Sequence, residues 1–285
     1  MKIISWNINS LRLRLPLLKK LVEEANPDVI CLQETKVQDC DFPLLEVKAL
    51  GYDFVEFSGE KSYNGVAIIS KFPLTNVKKI DVRDYGHKRH ISAKIKDIEL
   101  HNFYVPAGGD IPDVKLNDKF DHKLKFVDWM SNYFTNIENV DDIGSPFRGN
   151  ELLRSEAKHN DGGKKIIIVG DMNIAPLEHD VWSHKQLLKI VSHTPIEVEK
   201  MMFLQQSLNF IDTHRHFVDE SQKLYSWWSY RARDPLGADK GRRLDHIWAT
   251  PNLKDNIKSI NIYKNFRIEN QPSDHVPIET IFNFL

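Results

Sequence analysis

The sequence predicts an α+β fold: a four-layer α/β sandwich in which two packed, mainly antiparallel β-sheets are flanked by helices. Two observations carry that expectation. Short runs rich in Ile and Val, bounded by turn formers, recur along the chain and outnumber the helix-like runs. Several follow one another directly, as at 91–96 and 98–105, which a doubly wound alternation of strand and helix does not produce. Two stacked sheets with helices outside bury this many strands.

The elements follow in order. KIISWN at 2–7 is an apolar run and reads as a buried strand. Pro16 suits a first helical position, and Leu18, Leu21, Val22 and Ala25 then share one face, giving a helix over 16–25. Strand-like runs come next at 28–32, 52–57 and 65–70, with a helix at 43–50 that starts at Pro43 and stops before Gly51. After the strands at 91–96 and 98–105, Phe120, Leu124, Val127 and Met130 lie at helical spacing within 116–134. KIIIVG supplies a strand at 166–170. Thr194-Pro195-Ile196-Glu197 is a capping box with Pro in its first turn, which starts a helix at about 195 that runs to about 207. Strands at 245–249, 258–263 and 277–283 complete the chain. The polar, turn-rich segment 136–164 reads as a surface excursion carrying one short helix around 150–158.

Four polar islands sit at the ends of apolar runs: Asn7-Ile8-Asn9, Gln33-Glu34, Asp171-Met172-Asn173 and Ser273-Asp274-His275. Strands from distant parts of a chain become neighbours in a sheet, so these side chains can converge in one pocket. Taken singly, each island is ordinary turn and cap chemistry. Together they make a pocket of carboxylates, amides and one imidazole, with no nearby Cys, Ser nucleophile or Gly-rich phosphate loop. That inventory suits a hard cation and a phosphate ester. Residues two apart on a strand share a face, so Asn7 pairs with Asn9 and Asp171 with Asn173, and the matching patterns hint at an internal duplication. Glu34 is a natural ligand for Mg²⁺, which keeps several waters and takes few protein carboxylates. A carboxylate on the far nitrogen of His275 would fix its tautomer and raise its pKa, and Asp245 is the candidate partner. The phenol of Tyr104 can donate to a phosphate.

The islands span residues 7 to 275 of 285, so one domain is expected over the whole chain. The net charge of −1 leaves no global basic field, so a DNA-binding surface has to be a local patch. Two cysteines, Cys31 and Cys40, make neither a disulfide framework nor a zinc knuckle, which fits a reducing cytoplasm. No signal peptide or membrane-spanning run is expected. With no coiled-coil repeat, a monomer is the default.

The joint pattern resembles the exonuclease III family of AP endonucleases, within the wider endonuclease/exonuclease/phosphatase fold. The likeness runs through KIISWNINSLRLR, PDVICLQETK, NGVAIISK, HNFYVPAGGD, IIIVGDMNIAP, SWWSYRARD, GRRLDHIWAT and QPSDHVPIE, and is strongest to the bacterial exodeoxyribonuclease III branch. It implies a DNase I-like sandwich. It implies Glu34 as the main ligand of Mg²⁺, with Mn²⁺ a possible substitute and Asn7 close by. Asp171, Asn173, Asp274 and His275 would complete the metal and hydrogen-bond shell. It implies Tyr104, Asp171, Asn173, Asp245 and His275 as catalytic: Asp171 activating or orienting water, and His275, oriented by Asp245, contacting the scissile phosphate with Tyr104. Asp171 and His275 both remain candidates for taking the water's proton. Asn9 stands where some relatives carry Asp. Two features depart from the pattern. His246 follows Asp245 where an apolar residue suits a buried strand, and reads as a satisfied core histidine. The excursion at 136–164 is longer than the family needs.

The resemblance also implies double-stranded DNA as partner, with abasic sites or 3′-blocked ends. Lys36, Lys61, Arg89, Arg231, Arg233, Arg242 and Arg243 are candidates to line a phosphate-tracking groove. Trp227, Trp228 and Arg231 fall where relatives contact DNA around the missing base. Consecutive tryptophans point to opposite faces, so one is expected in the core and one at the surface. Two competing readings keep the fold: another phosphate ester as substrate, or DNA binding without chemistry. The full set of acidic, amide and imidazole residues argues against the second.

Overall fold

A computed structural model describes residues 1–137, 163–231 and 234–284. The predicted short helix at 150–158 and Arg233 lie outside the described residues. Along the chain run β1 (Lys2–Asn7), α1 (Leu11–Ala25), β2 (Val29–Gln33), α2 (Leu44–Lys48), β3 (Phe54–Ser58), β4 (Val66–Ser70) and β5 (Thr75–Lys78). Then come β6 (His90–Ile95), β7 (Ile98–Tyr104), α3 (Asp118–Asn136), β8 (Lys165–Asp171), α4 (His184–Leu187) and α5 (Pro195–Gln206). The two-residue strands β9 (Ile211–Asp212), β10 (Trp227–Trp228) and β11 (Gly241–Arg242) lead to β12 (Asp245–Ala249), β13 (Ile257–Ile262) and β14 (Ile278–Phe282).

Two six-stranded sheets form, in the orders β13-β14-β1-β2-β4-β3 and β5-β6-β7-β8-β12-β9. Among the described residues each has a single parallel pair, β1 with β2 and β7 with β8, and is antiparallel elsewhere. The order β14-β1-β2-β4 in one sheet matches β12-β8-β7-β6 in the other, strand relation for strand relation. This is the duplication at which Asn7-x-Asn9 and Asp171-x-Asn173 hint, since β1 and β8 are equivalent strands.

Both faces of the central strands are covered, which explains why they are apolar without alternation. Ile3, Val29, Cys31, Ile68, Leu100, Ile167, Val169 and Ile247 meet between the sheets. Their neighbours Ile4, Trp6, Ile30 and Leu32 face outward onto Leu17, Leu18, Leu21 and Ala25 of α1. On the opposite side Phe103, Ile166, Ile168 and Trp248 pack against Val127, Met130 and Phe134 of α3 and Met201 and Leu204 of α5. The four layers are therefore helix, sheet, sheet, helix, as predicted.

The capping box forms at α5, where Thr194 accepts from the Glu197 amide and Glu197 reaches back to the Thr194 amide. The helices at 43–50 and 116–134 shift by one or two residues at their ends, and one boundary differs by more. α1 starts at Leu11, five residues before Pro16, because the backbone leaves helical geometry at Arg14 (φ −109°, ψ 18°). That break removes the clash between the proline ring and the preceding turn, so Pro16 lies in the first turn of a fresh segment. Strand β5 was not expected. TNVK lies exposed at a sheet edge and lacks apolar alternation. Among the described residues, no helix is long and apolar enough to cross a membrane.

Candidate active site

The register of the sheets assembles the site. Tyr104 at the end of β7 pairs with Asp171 at the end of β8, and Asp171 pairs with Asp245 at the start of β12. Residues directly opposite one another project from the same face. The three therefore form a row across the sheet. Asn7 ends β1 in the other sheet, with Glu34 just past β2. Gly170 permits the close approach at Asp171: it has φ +144°, and a Cβ there would lie 1.9 Å from the Phe103 carbonyl oxygen. Glu34 and Asn173 turn the chain with φ of +51° and +53°. Asn tolerates that conformation, whereas Glu in it stores roughly 1–3 kcal/mol of strain, a feature that concentrates at functional sites.

The amide of Asn7 joins two carboxylates. Its Nδ2 donates to Glu34 Oε1 at 2.9 Å and to Asp171 Oδ2 at 2.8 Å. The Tyr104 hydroxyl donates to Glu34 Oε1 at 2.7 Å, and the Lys36 ammonium meets Glu34 Oε2 at 2.8 Å. Asn173 closes on Asp171 twice, its backbone N–H on Oδ1 at 2.9 Å and its Nδ2 on Oδ2 at 3.1 Å. His275 stands between two carboxylates, with Nδ1 2.8 Å from Asp245 Oδ2 and Nε2 3.7 Å from Asp171 Oδ2. Asp274 is turned aside. Its oxygens accept from Asn9 Nδ2 and Trp227 Nε1, both at 3.0 Å.

Electrostatics separate these groups. Burial alone would raise the Glu34 carboxyl, but the Lys36 ammonium and hydrogen bonds from Asn7, Lys36 and Tyr104 outweigh it and hold it below its usual range. Glu34 is thus an anion with a cation beside it. Burial pushes Asp171 up, Asp245 and Glu34 add to the rise, and His275 opposes it. Burial would lower His275, but Asp245, Asp171 and Asp274 together outweigh it and hold the imidazolium well above its ordinary range. Tyr104 is kept a phenol by burial and by Glu34.

A metal ion fits this donor set. The carboxylates and amides offer hard oxygen ligands and no thiolate, and Glu34 is ionised against a positive charge. Asp171, Asp245 and His275 also place one ligand atom each within 4.8 Å of one another.

Not every expected residue joins the site. Gln33 points between the sheets, donating to Asn102 Oδ1 of β7 at 2.7 Å, while Asn102 donates to the Leu32 and Ala67 carbonyls at 2.9 Å. It is a cross-tie beneath the site. Trp228 is 1% exposed and packs on Tyr225, so it is a core residue and leaves the DNA-facing set. Trp227 is half-buried with the Arg242 guanidinium 5.2 Å over its ring, and Arg231 is exposed. Arg243 is no groove residue. It is buried and pairs with Asp180 at 2.8 Å and Asp212 at 2.6 Å. His246 is buried, with Nε2 2.9 Å from the Ile174 carbonyl.

Two serines hold the site in ways the sequence does not assign: Ser226, which carries no signal, and Ser273, which stands in a polar island without a role. Ser226 donates to Asp245 Oδ2 at 2.6 Å and accepts from the Asp245 amide at 3.1 Å. Ser273 donates to the Asn7 carbonyl at 2.7 Å and accepts from the His275 amide at 3.2 Å.

The Endonuclease/Exonuclease/phosphatase family matches residues 4–275. Exodeoxyribonuclease III of Haemophilus influenzae is 29% identical over 297 aligned positions, covering 98% of both chains. An AP endonuclease from Archaeoglobus fulgidus superposes with a TM-score of 0.84 at 30% identity over the full length of both chains. A 3′ phosphatase from Neisseria, bound to product DNA hairpin, gives 0.85 at 26% identity, again over both full lengths. On the fold, the assembled strand-end site and these likenesses, the chain belongs to the Endonuclease/Exonuclease/phosphatase family and is an exodeoxyribonuclease III-like hydrolase of its nuclease branch.

Proposed function

We propose that this protein is a Mg²⁺-dependent DNA repair phosphodiesterase that cuts duplex DNA 5′ to abasic sites, leaving a 3′-hydroxyl, and also removes 3′-blocking groups and nucleotides. The observation that carries the reading is the Asn7 amide, which joins Glu34 to Asp171 while Asp171 faces the Asp245-held His275. One end of that line suits a cation and the other suits proton transfer and phosphate contact. The Neisseria 3′ phosphatase and the Archaeoglobus AP endonuclease support the two halves of the substrate range.

Glu34 would hold the metal, with Asn7 beside it and Asp171 completing the shell. A metal held by these residues would supply Lewis-acid stabilisation of the charge that develops on the phosphate. Asp171 would take the proton of the attacking water, a role supported by Asn7 and Asn173, which fix both of its oxygens, and by burial, which makes it a better base than an exposed carboxylate. His275 is kept protonated by its carboxylates, so its Nε2–H donates to the phosphate instead of abstracting a proton. Tyr104 supplies a second donor to the charged transition state. Asp274 fixes Asn9 and Trp227 at the mouth, and Trp227 and Arg231 meet the DNA. The enzyme acts as a monomer in the cytoplasm, where Cys31 and Cys40 stay free.

A labelled duplex with one abasic analogue tests the reading. The expected result is incision only at that position in Mg²⁺ or Mn²⁺, abolished by EDTA and by Glu34→Ala, with no cut in an intact duplex. Turnover of a different phosphate ester, or tight DNA binding without incision, would overturn it.

A further inference from the structure

Lys123 and Glu197, the capping-box glutamate of α5, form an ion pair in which both side chains are 0% exposed, 2.5 Å apart, outside the candidate active site. Lys123 projects from α3 and uses its remaining N–H groups on two backbone carbonyls: Asn173 at 2.8 Å and Ala107 at 3.3 Å. Glu197 lies at the start of α5 and accepts from the Ser192 amide at 2.9 Å and the Thr194 hydroxyl at 2.7 Å. Loop 192–194 in turn holds the segment after Asp171, for the Ala175 amide donates to the Ser192 carbonyl at 2.8 Å. Asn173 is thus clamped on all sides. Its amide and side chain fix Asp171, its backbone is left-handed, and its carbonyl is held by a buried cation.

An apolar pair could fill the same space without desolvating two charges, and buried ion pairs are poor sources of stability. An apolar side chain cannot donate to the Asn173 and Ala107 carbonyls. A lysine ammonium has three N–H groups for three acceptors. We propose that Lys123 is a positioning residue for the hydrolysis: it sets the Asn173 carbonyl and so aims the Asp171 carboxylate, with Glu197 as its counter-charge. The inference rests on the reading of Asp171 given above.

The test compares wild type, Lys123→Met, and Lys123→Met combined with Glu197→Gln, on the abasic duplex, below the melting midpoint of each. Lys123→Met leaves a buried unpaired carboxylate and lowers the midpoint. The double variant removes that charge and recovers most of it. A positioning role predicts that kcat falls on the order of 10²-fold in both variants, the loss that a small misplacement of a reacting group brings. KM stays within about twofold, because substrate contacts are untouched. Recovery of kcat together with the midpoint in the double variant would assign the pair to stability alone and overturn the proposal. So would a wild-type kcat in folded Lys123→Met, or a double variant that does not fold. If wild type cleaves no abasic duplex, the functional reading fails and this inference falls with it; if wild type cleaves and the variants match it, only the inference fails.

Discussion

The imidazole of His275 is held by one carboxylate oxygen that also receives the Ser226 hydroxyl, since Asp245 Oδ2 accepts both at 2.8 and 2.6 Å. Removing the hydroxyl frees Asp245 to turn and loosens the imidazole. A lost hydrogen bond to a charged group is worth about 1.5–3 kcal/mol, and 1.36 kcal/mol is tenfold in rate. Ser226→Ala is therefore expected to lower kcat roughly tenfold or more, with KM unchanged, in steady-state incision. A fall in affinity with normal kcat would contradict the assigned geometry. The adjacent tryptophans separate just as cleanly. Trp228→Ala empties a core position and is expected to cost about 3–5 kcal/mol in urea denaturation. Trp227→Ala should leave stability near wild type and raise KM for abasic DNA. At this scale the sequence reveals groups whose chemistry is rare, such as Glu34, Asp171 and His275 at strand ends. Ser226 is silent because a serine beside aromatics has many ordinary uses. Lys123 is silent because a lysine on an amphipathic helix reads as solvent-facing, and nothing local shows that Glu197, 74 positions away, comes to meet it.

Elements hold the site through a buried charge network beneath β12. Arg243, one residue before Leu244 and two before Asp245, pairs with Asp180 and Asp212, and Arg215 also reaches Asp180 at 2.5 Å. The Arg243 amide donates to the Asp180 carbonyl at 2.7 Å, so the strand start is fixed by backbone as well as side chain. Breaking a buried pair from one side strands the partner charge and costs about 3–5 kcal/mol. Arg243→Met is expected to destabilise by that order in urea titration, while KM for DNA moves little at temperatures where the variant is folded. An Arg243→Met protein of wild-type stability but weakened DNA binding would return Arg243 to the groove. The long central strands were legible because both of their faces are covered, making KIISWN and KIIIVG continuous apolar runs. α5 was legible from its capping box. β5, at an exposed edge, and β9 to β11, two residues each, show no period for the sequence to display. The swap of Arg243 from groove to core has the same origin. A charged residue reads as surface unless its partners, here 31 and 63 positions away, are known.

At the scale of the molecule, the two ends of the chain are one sheet. β1 pairs with β14 from Lys2↔Ile281 to Ser5↔Ile278, and the Asn7 and His275 segments are joined through Ser273. β14 and β1 are adjacent interior strands of that sheet, so neither sheet nor site persists when one of them is lost, and unfolding is expected as one cooperative transition, coincident by near- and far-ultraviolet circular dichroism. That transition should shift with acid in a defined direction. His90, His101 and His214 are buried and held below the ordinary imidazole value, each chiefly by burial, with His214 lowered to about 4. A histidine whose folded pKa is depressed binds fewer protons folded than unfolded. Its stabilisation is fully present above the unfolded pKa of about 6.5 and is lost as pH falls toward the folded value. His214 is 2% exposed, so solvent screening is small, and a drop from the ordinary 6.5 to about 4 corresponds to about 3 kcal/mol at most once pH falls below the folded value. His275 works the other way. Its raised pKa contributes stability below the unfolded value that is lost only as pH rises through the folded one. Asp171 acts with His275, because its raised carboxyl binds more protons folded than unfolded and its contribution is lost as pH rises toward about 7. Among the described residues the depressed histidines His90, His101, His122, His193 and His214 outnumber these two groups, so the urea midpoint at about pH 5 should lie below that at about pH 7.5. His214→Gln, which removes one titrating group from the core, should narrow the gap. A midpoint indifferent to pH across that interval, or a gap unchanged in His214→Gln, would show that His214 is not held neutral by burial in the folded protein.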